Sequence, residues 1–149
     1  MSNNKYGSNN SNVIELLAVK DVKDDKINHP YTKNKYGLVK FYAPWCPHCT
    51  DMIDNLEFLA KELPIIGKPF FVSAVNCTNK DFGNDKLAQN MGVKGFPTLF
   101  FVHMDGTIED FTPQSRTLEG LLNEICNKTK MYNTNNTCCS YNNNKLTCN

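Results

Sequence analysis

A chain of 149 residues with a net charge of +1 and 21% charged residues fits one domain with flanking tails, long enough to bury a core. That near-neutral balance argues against nucleic acid or an anionic membrane as the main partner. No apolar run approaches the roughly 20 residues that a membrane-spanning helix needs.

The two ends are polar. Residues 1–12 are rich in Ser and Asn, and residues 130–149 in Asn and Cys. Neither stretch holds enough apolar surface to offset the entropy of ordering, so both are expected to be disordered tails around a domain at 13–129. Residues 1–12 lack the apolar stretch of a secretory signal, and the closing Leu-Thr-Cys-Asn is not an endoplasmic-reticulum retention signal, so no localisation is assigned. Asn-x-Ser/Thr triplets at Asn9, Asn76, Asn127 and Asn135 are read as products of asparagine abundance.

Within the domain, residues 13–19 read as a short strand. Residues 21–36, highly charged and interrupted by Pro30, read as a surface helix and loop. Leu38, Val39, Phe41 and Tyr42 give the composition of a buried central strand. The pattern breaks at Pro44 and resumes as a helix with Pro47 just inside its start, where the missing N–H costs nothing. Met52, Ile53, Leu56, Leu59, Ala60 and Leu63 then fall on one helical face. Pro64 and Gly67 are expected to end it, before a second buried strand over 70–75. A helix over 80–91 turns Phe82, Leu87, Ala88 and Met91 inward and is capped by Gly92. Pro97 opens a strand over 98–103, and Asp105-Gly106 turns it into another over 107–111. Ser115 or Thr117 starts a last helix carrying Leu118, Leu121, Leu122, Ile125 and Cys126. The order β-α-β-α-β-α-β-β-α predicts an α/β fold, a mixed sheet with helices on both faces.

A strand thus delivers Cys46 to the start of a helix, with Cys49 one turn on. Unpaired N–H groups at a helix start favour an anion, so Cys46 should be held partly as thiolate. A thiolate attacks a disulfide sulfur, and a second thiol three residues away can resolve the mixed disulfide. His48, between them, offers an imidazole that further stabilises the thiolate. The competing reading of Cys-x-x-Cys is half of a zinc site, which needs two more ligands at similar spacing. Cys138, Cys139 and Cys148 offer no such arrangement, so neither metal nor organic cofactor is implied. These three are instead read as a structural disulfide, an electron shuttle to Cys46/Cys49, or anchors for intermolecular bonds. Cys77 and Cys126 are read as small buried hydrophobes, and His29 and His103 as surface residues.

The segment Phe41-Tyr-Ala-Pro-Trp-Cys-Pro-His-Cys49 resembles the active-site segment of the thioredoxin superfamily. Its Phe-Tyr-Ala-Pro-Trp-Cys part is most similar to the catalytic domains of protein disulfide isomerases, whereas Pro47-His48 matches bacterial periplasmic disulfide oxidases. Gly92-Val-Lys-Gly-Phe-Pro-Thr98 resembles the loop that bears the family's cis-proline. The resemblance covers about residues 13–128 and implies a thioredoxin fold, a redox-active disulfide between Cys46 and Cys49, and a cis bond at Pro97. It also implies that the backbone of Phe96 lies beside the sulfur and pairs with a bound peptide. Trp45 is given two roles, covering the core and offering a substrate platform. Arg116 falls where isomerase domains carry an arginine that swings toward the second cysteine.

Two departures stand out. Lys40 occupies a strand position where the family often buries a carboxylate. It either snorkels, with its ammonium in water, or sets a cation near Cys49 that favours its thiolate. Asp54 replaces the proline after the motif, so the helix is expected to run straight. Together these features imply a disulfide oxidase or isomerase acting, as a monomer, on cysteine-containing proteins with a separate redox partner. A thioredoxin-like reductase, and a peptide-binding or chaperone module without turnover, are the alternatives.

Overall fold

The structure, a computed structural model, describes residues 11–65, 69–129, 139–142 and 145–148. The first elements are β1 (Ile14–Glu15), α1 (Ala18–Asp21), β2 (Val22–Lys23), β3 (Lys26–Ile27) and a 3-10 turn over Pro30–Thr32. There follow β4 (Tyr36–Tyr42), α2 (Pro47–Asp51), α3 (Ile53–Ile65), β5 (Phe70–Asn76) and α4 (Asn84–Asn90). The remainder is β6 (Thr98–Val102), β7 (Ile108–Asp110), α5 (Leu118–Thr129), β8 (Cys139–Asn142) and β9 (Lys145–Cys148). Five strands form one mixed sheet in the order β1-β5-β4-β6-β7. β1, β5 and β4 run parallel, and β6 and β7 are antiparallel to their neighbours.

Alternation along the central strands sorts side chains between two cores. Leu38, Tyr42, Val72, Ala74, Leu99 and Phe101 face α3 and α5, meeting Met52, Leu56, Leu59, Leu121 and Leu122. Val39, Phe41, Phe71, Val75, Phe100 and Val102 face the other way, toward Leu16, Leu87, Ala88 and Met91. Lys40 shares the parity of Leu38 and Tyr42 and so points into the layer that holds the cysteine pair. Gly37 is fixed by this packing, because a Cβ there would lie 2.4 Å from the Phe71 ring.

Several elements differ from the sequence reading. The strand expected over 13–19 shrinks to two residues. Side chains capture the next N–H groups: Asp21 Oδ2 accepts from Leu17 at 2.9 Å, and Asn84 Oδ1 from Ala18 at 2.8 Å. In place of the surface helix over 21–36, β2 and β3 form a hairpin around Asp24 and Asp25, both at positive φ (53° and 63°). That is the conformation which a tight two-residue turn demands and Asp tolerates. Phe82 is not inward but 42% exposed, because left-handed Gly83 (φ 76°) delays α4 until Asn84. Pro64 does not end α3 but lies in its last turn, where only one carbonyl, that of Ala60, loses a donor.

The helix expected to run straight from Pro47 is divided. α2 and α3 meet at Met52, whose N–H bonds back to the Cys49 carbonyl at 3.3 Å. Lys40 Nζ donates to that same carbonyl, which a continuous helix would give to the N–H of Ile53.

The ends also differ. Ser11 Oγ and the Asn12 N–H both donate to Glu57 Oε1, at 2.9 and 3.2 Å; residues 1–10 lie outside the described residues. Where a disordered tail was expected, β8 and β9 pair as an antiparallel hairpin, and α5 packs against β8. Cys126 is not a simple buried thiol but is disulfide-bonded. His103 Nε2 meets Glu109 at 3.2 Å, and Lys128 Nζ holds the same carboxylate at 3.0 Å, joining α5 to β7. His29 Nδ1 accepts from the Tyr31 N–H at 3.1 Å and caps the 3-10 turn.

Candidate active site

β4 ends at Tyr42, and the turn through Pro44 places Cys46 as the N-cap residue of α2, with Pro47 at its first position. Both thiols of the pair are free. Cys46 is 6% exposed and Cys49 1% exposed, whereas Pro47 and His48 between them are exposed. Cys46 Sγ donates to the Phe96 carbonyl at 3.6 Å. The Phe96–Pro97 bond is cis, and the Phe96 carbonyl, in the loop before β6, is the group that faces the first sulfur.

The two sulfurs differ electrostatically. Burial works against the Cys46 thiolate, but donation from the Cys49 thiol and from the Cys49 and His48 N–H groups, with the Lys40 charge, holds Cys46 below the ordinary thiol value. Burial pushes Cys49 up to about 11, reinforced by the neighbouring Cys46 against the opposing pull of the Ala43 backbone and of Lys40. His48 contributes to Cys46 through its backbone N–H. Cys77, at the end of β5, is free and buried, and burial pushes it up to about 12.

Lys40 does not snorkel. It is 0% exposed, its Nζ donates to the Cys49 carbonyl, and the ammonium lies 5.5 Å from the Tyr42 ring centroid. Tyr42 Oη in turn donates to Glu15 Oε2. Of the two readings given for Lys40 from sequence, snorkelling is excluded by this burial, and the cation lies near Cys49 as the other had it; the link through Tyr42 to Glu15 was not read from the sequence.

Trp45 does not cover the core: it is 71% exposed. Its ring meets Phe96 edge-to-face, centroids 6.0 Å apart and planes at 78°, forming an aromatic wall beside Cys46. Across the site, the Arg116 guanidinium donates to the Pro97 carbonyl at 3.4 Å, and Asn55 Nδ2 holds the Arg116 carbonyl at 3.1 Å. Arg116 lines both a cavity of about 380 Å³ that includes Pro97 and one of about 310 Å³ that includes His48. The structure therefore brings Lys40, Trp45, Cys46, Pro47, His48, Cys49, Phe96, Pro97 and Arg116 to one end of the sheet. Among the described residues no cluster of three His, Cys, Asp or Glu side chains is disposed to hold a metal, and no helix is long and apolar enough to cross a membrane.

Comparison with known proteins follows the same lines. The chain is 33% identical over 97 residues to protein disulfide-isomerase 1 of Dictyostelium discoideum, covering 65% of this chain and 26% of that protein. It is 36% identical over 101 residues to the thioredoxin domain-containing protein 5 homolog of Drosophila melanogaster, covering 66% of this chain and 22% of that one. It therefore spans about a quarter of the length of these curated relatives. The solution structure of the first thioredoxin domain of mouse protein disulfide-isomerase A4 matches with a TM-score of 0.56 at 25% identity, covering 84% of this chain and 79% of that one. The crystal structure of the Trx4 domain of ERdj5 shares the fold with a TM-score of 0.57 at 20% identity, covering 81% and 98%. The thioredoxin family model matches residues 18–127, and with a mixed sheet flanked by helices on both faces the chain belongs to the thioredoxin family.

Proposed function

We propose that this chain is a thiol–disulfide oxidoreductase of the disulfide isomerase type, acting on protein cysteines through Cys46 and Cys49. The observation that carries the reading is the asymmetry of the pair, with Cys46 held below the ordinary thiol value and Cys49 pushed up to about 11. Such a pair starts attack with one sulfur and keeps the other protonated until it is needed.

In the reducing direction, the Cys46 thiolate attacks one sulfur of a substrate disulfide. The Cys46–substrate bond forms as the substrate disulfide breaks, and the departing sulfur leaves as a thiolate. Cys49 then loses its proton and attacks Cys46 Sγ. The Cys46–Cys49 disulfide closes and the substrate leaves as its second thiolate. Run backwards, the oxidised pair donates a disulfide to a substrate dithiol.

Lys40 supplies a buried positive charge that favours both thiolates. Its bond to the Cys49 carbonyl positions the turn carrying Cys49. Phe96 and Pro97 offer backbone for an extended substrate to pair with, and Trp45 an apolar platform beside it. Arg116, anchored on the Pro97 carbonyl, borders the same substrate path.

Insulin reduction and oxidative refolding of a reduced, disulfide-containing protein test the proposal. Both activities should disappear in the Cys46→Ser/Cys49→Ser chain. Retained turnover in that variant would refute the assignment, and binding of unfolded protein without turnover by the wild-type chain would make it a peptide-binding module instead.

A further inference from the structure

β1 gives two residues to the sheet, and one of them reaches the layer that holds the cysteine pair. Glu15 is paired laterally with Ala74 on β5, and Ala74 with Lys40 on β4. Residues paired across parallel strands share a face, and strands about 4.8 Å apart set the Glu15 and Lys40 Cα atoms about 10 Å apart. On that line only the methyl group of Ala74 stands between them, as fully buried as Lys40 itself.

Glu15 does extend inward. β1 lies at the sheet edge and Glu15 is half-buried, yet its Oε2 accepts from the hydroxyl of fully buried Tyr42. Tyr42 follows Lys40 by two residues on the same face, and the Lys40 ammonium lies 5.5 Å from its ring centroid. Lys40 Nζ in turn donates to the Cys49 carbonyl. Carboxylate, phenol and ammonium thus run from the sheet edge to the turn that carries Cys49.

A buried ammonium is costly to desolvate and gives up its proton unless an opposite charge or hydrogen bonds hold it. The Lys40 charge is among the leading influences on both sulfurs of the pair, and Glu15 on neither. The route from Glu15 to the sulfurs therefore runs through Lys40.

We propose that Glu15 is a positioning residue of the Cys46/Cys49 site: its carboxylate, reaching in from β1 and tied to Tyr42, keeps the Lys40 ammonium charged and directed at the Cys49 carbonyl. Without that carboxylate, Lys40 discharges by releasing its proton to solvent. The Cys46 thiolate then loses a cation, the dithiol loses stability relative to the disulfide, and the pair becomes less oxidising.

This role rests on the redox pair proposed above, and one equilibration reads both. The full chain and its Glu15→Gln variant are equilibrated with glutathione buffers at pH 7, acid-quenched and alkylated, and the Cys46–Cys49 disulfide is quantified by mass spectrometry. Glutamine keeps an oxygen to accept from Tyr42 and removes only the charge. Glu15→Gln should raise the ratio of disulfide to dithiol about three- to tenfold in a fixed buffer. In the Lys40→Met background the same substitution should leave the ratio unchanged, which a merely structural role for Glu15 does not predict. An unchanged or lowered ratio for Glu15→Gln overturns the proposal, as does an equal rise in the Lys40→Met background. Should Glu15→Gln not fold, Tyr42→Phe decides: with the phenol that ties the carboxylate gone, the ratio should rise in the otherwise wild-type chain but not in the Lys40→Met chain, and no rise overturns the proposal. A wild-type chain whose Cys46 and Cys49 form no disulfide in any buffer refutes the redox reading itself, and the role of Glu15 with it.

Discussion

Brief alkylation of the reduced chain across pH should separate three described thiols in a set order: Cys46, then Cys49, then Cys77. Cys49 is pushed up to about 11 from an ordinary 9.0, so at pH 7 its thiolate population is about one part in ten thousand, about a hundredfold below an unperturbed thiol. A more basic thiolate is intrinsically more nucleophilic, which returns a factor of about eight. The remaining deficit is about tenfold, before the near-complete burial of the sulfur slows reagent access further. Cys77, pushed up to about 12, should be slower again. Cys46 lies below its ordinary value, so Cys46 should be modified at least about tenfold faster than Cys49 at pH 7. The gap should narrow as pH rises toward 11. Iodoacetamide pulses from pH 6 to 11, followed by digestion and tandem mass spectrometry, read each site. Cys46 and Cys49 share one tryptic peptide and must be distinguished by fragment ions. Label on Cys49 as early as on Cys46 at pH 7, or a Cys46/Cys49 ratio that does not change with pH, would refute the electrostatic account.

Other variants probe the parts around the pair. Lys40→Met keeps the buried volume but removes the charge and the donor to the Cys49 carbonyl, a charge-assisted bond worth about 1.5–3 kcal/mol; stopped-flow kinetics should show mixed-disulfide resolution slowed more than initial attack, and equal effects on both steps would assign Lys40 a structural role. Trp45→Ala should lower kcat/KM for insulin by about two- to tenfold, the worth of an exposed aromatic contact, while a small disulfide reagent reacts at the wild-type rate. Asn84→Ala removes bonds to the Ala18 N–H and the Leu16 and Asn76 carbonyls and should cost about 2–4 kcal/mol in denaturant unfolding, without altering the pH profile of Cys46.

The strands and helices with strong periodicity were legible in the sequence: the runs around Val39, Phe71 and Phe101, and the apolar faces of α3 and α5. Two of the misread elements involve single side chains acting across sequence separation. Asn84 reaches back 66 residues to the Ala18 N–H, and no local pattern at either position signals that. Lys40 donates to the Cys49 carbonyl, nine residues away, where α2 gives way to α3, a tertiary contact that the local pattern around Asp54 does not signal. The Asp24-Asp25 turn was readable from turn chemistry but was masked by the surrounding charge. In the candidate site, the cysteine pair follows from motif spacing and the Phe96-Pro97 loop from the family resemblance, whereas the exposure of Trp45 and the depth of Lys40 depend on how the layers pack. The ordering of the C-terminal strands had one available signal, three cysteines within eleven residues, which asparagine composition obscured.

The reduction potential of the Cys46/Cys49 pair tests the central claim most directly. A pair is oxidising when its reduced form is stabilised, and here the Cys49 thiol, the Cys49 and His48 N–H groups and the Lys40 charge all favour the Cys46 thiolate. Equilibration of the full chain with glutathione buffers, followed by acid quenching and mass mapping of this one pair, should give a value between about −200 and −120 mV, the range of isomerases and oxidases. A value below about −250 mV would contradict the oxidase–isomerase reading and make the chain a reductase of the thioredoxin type.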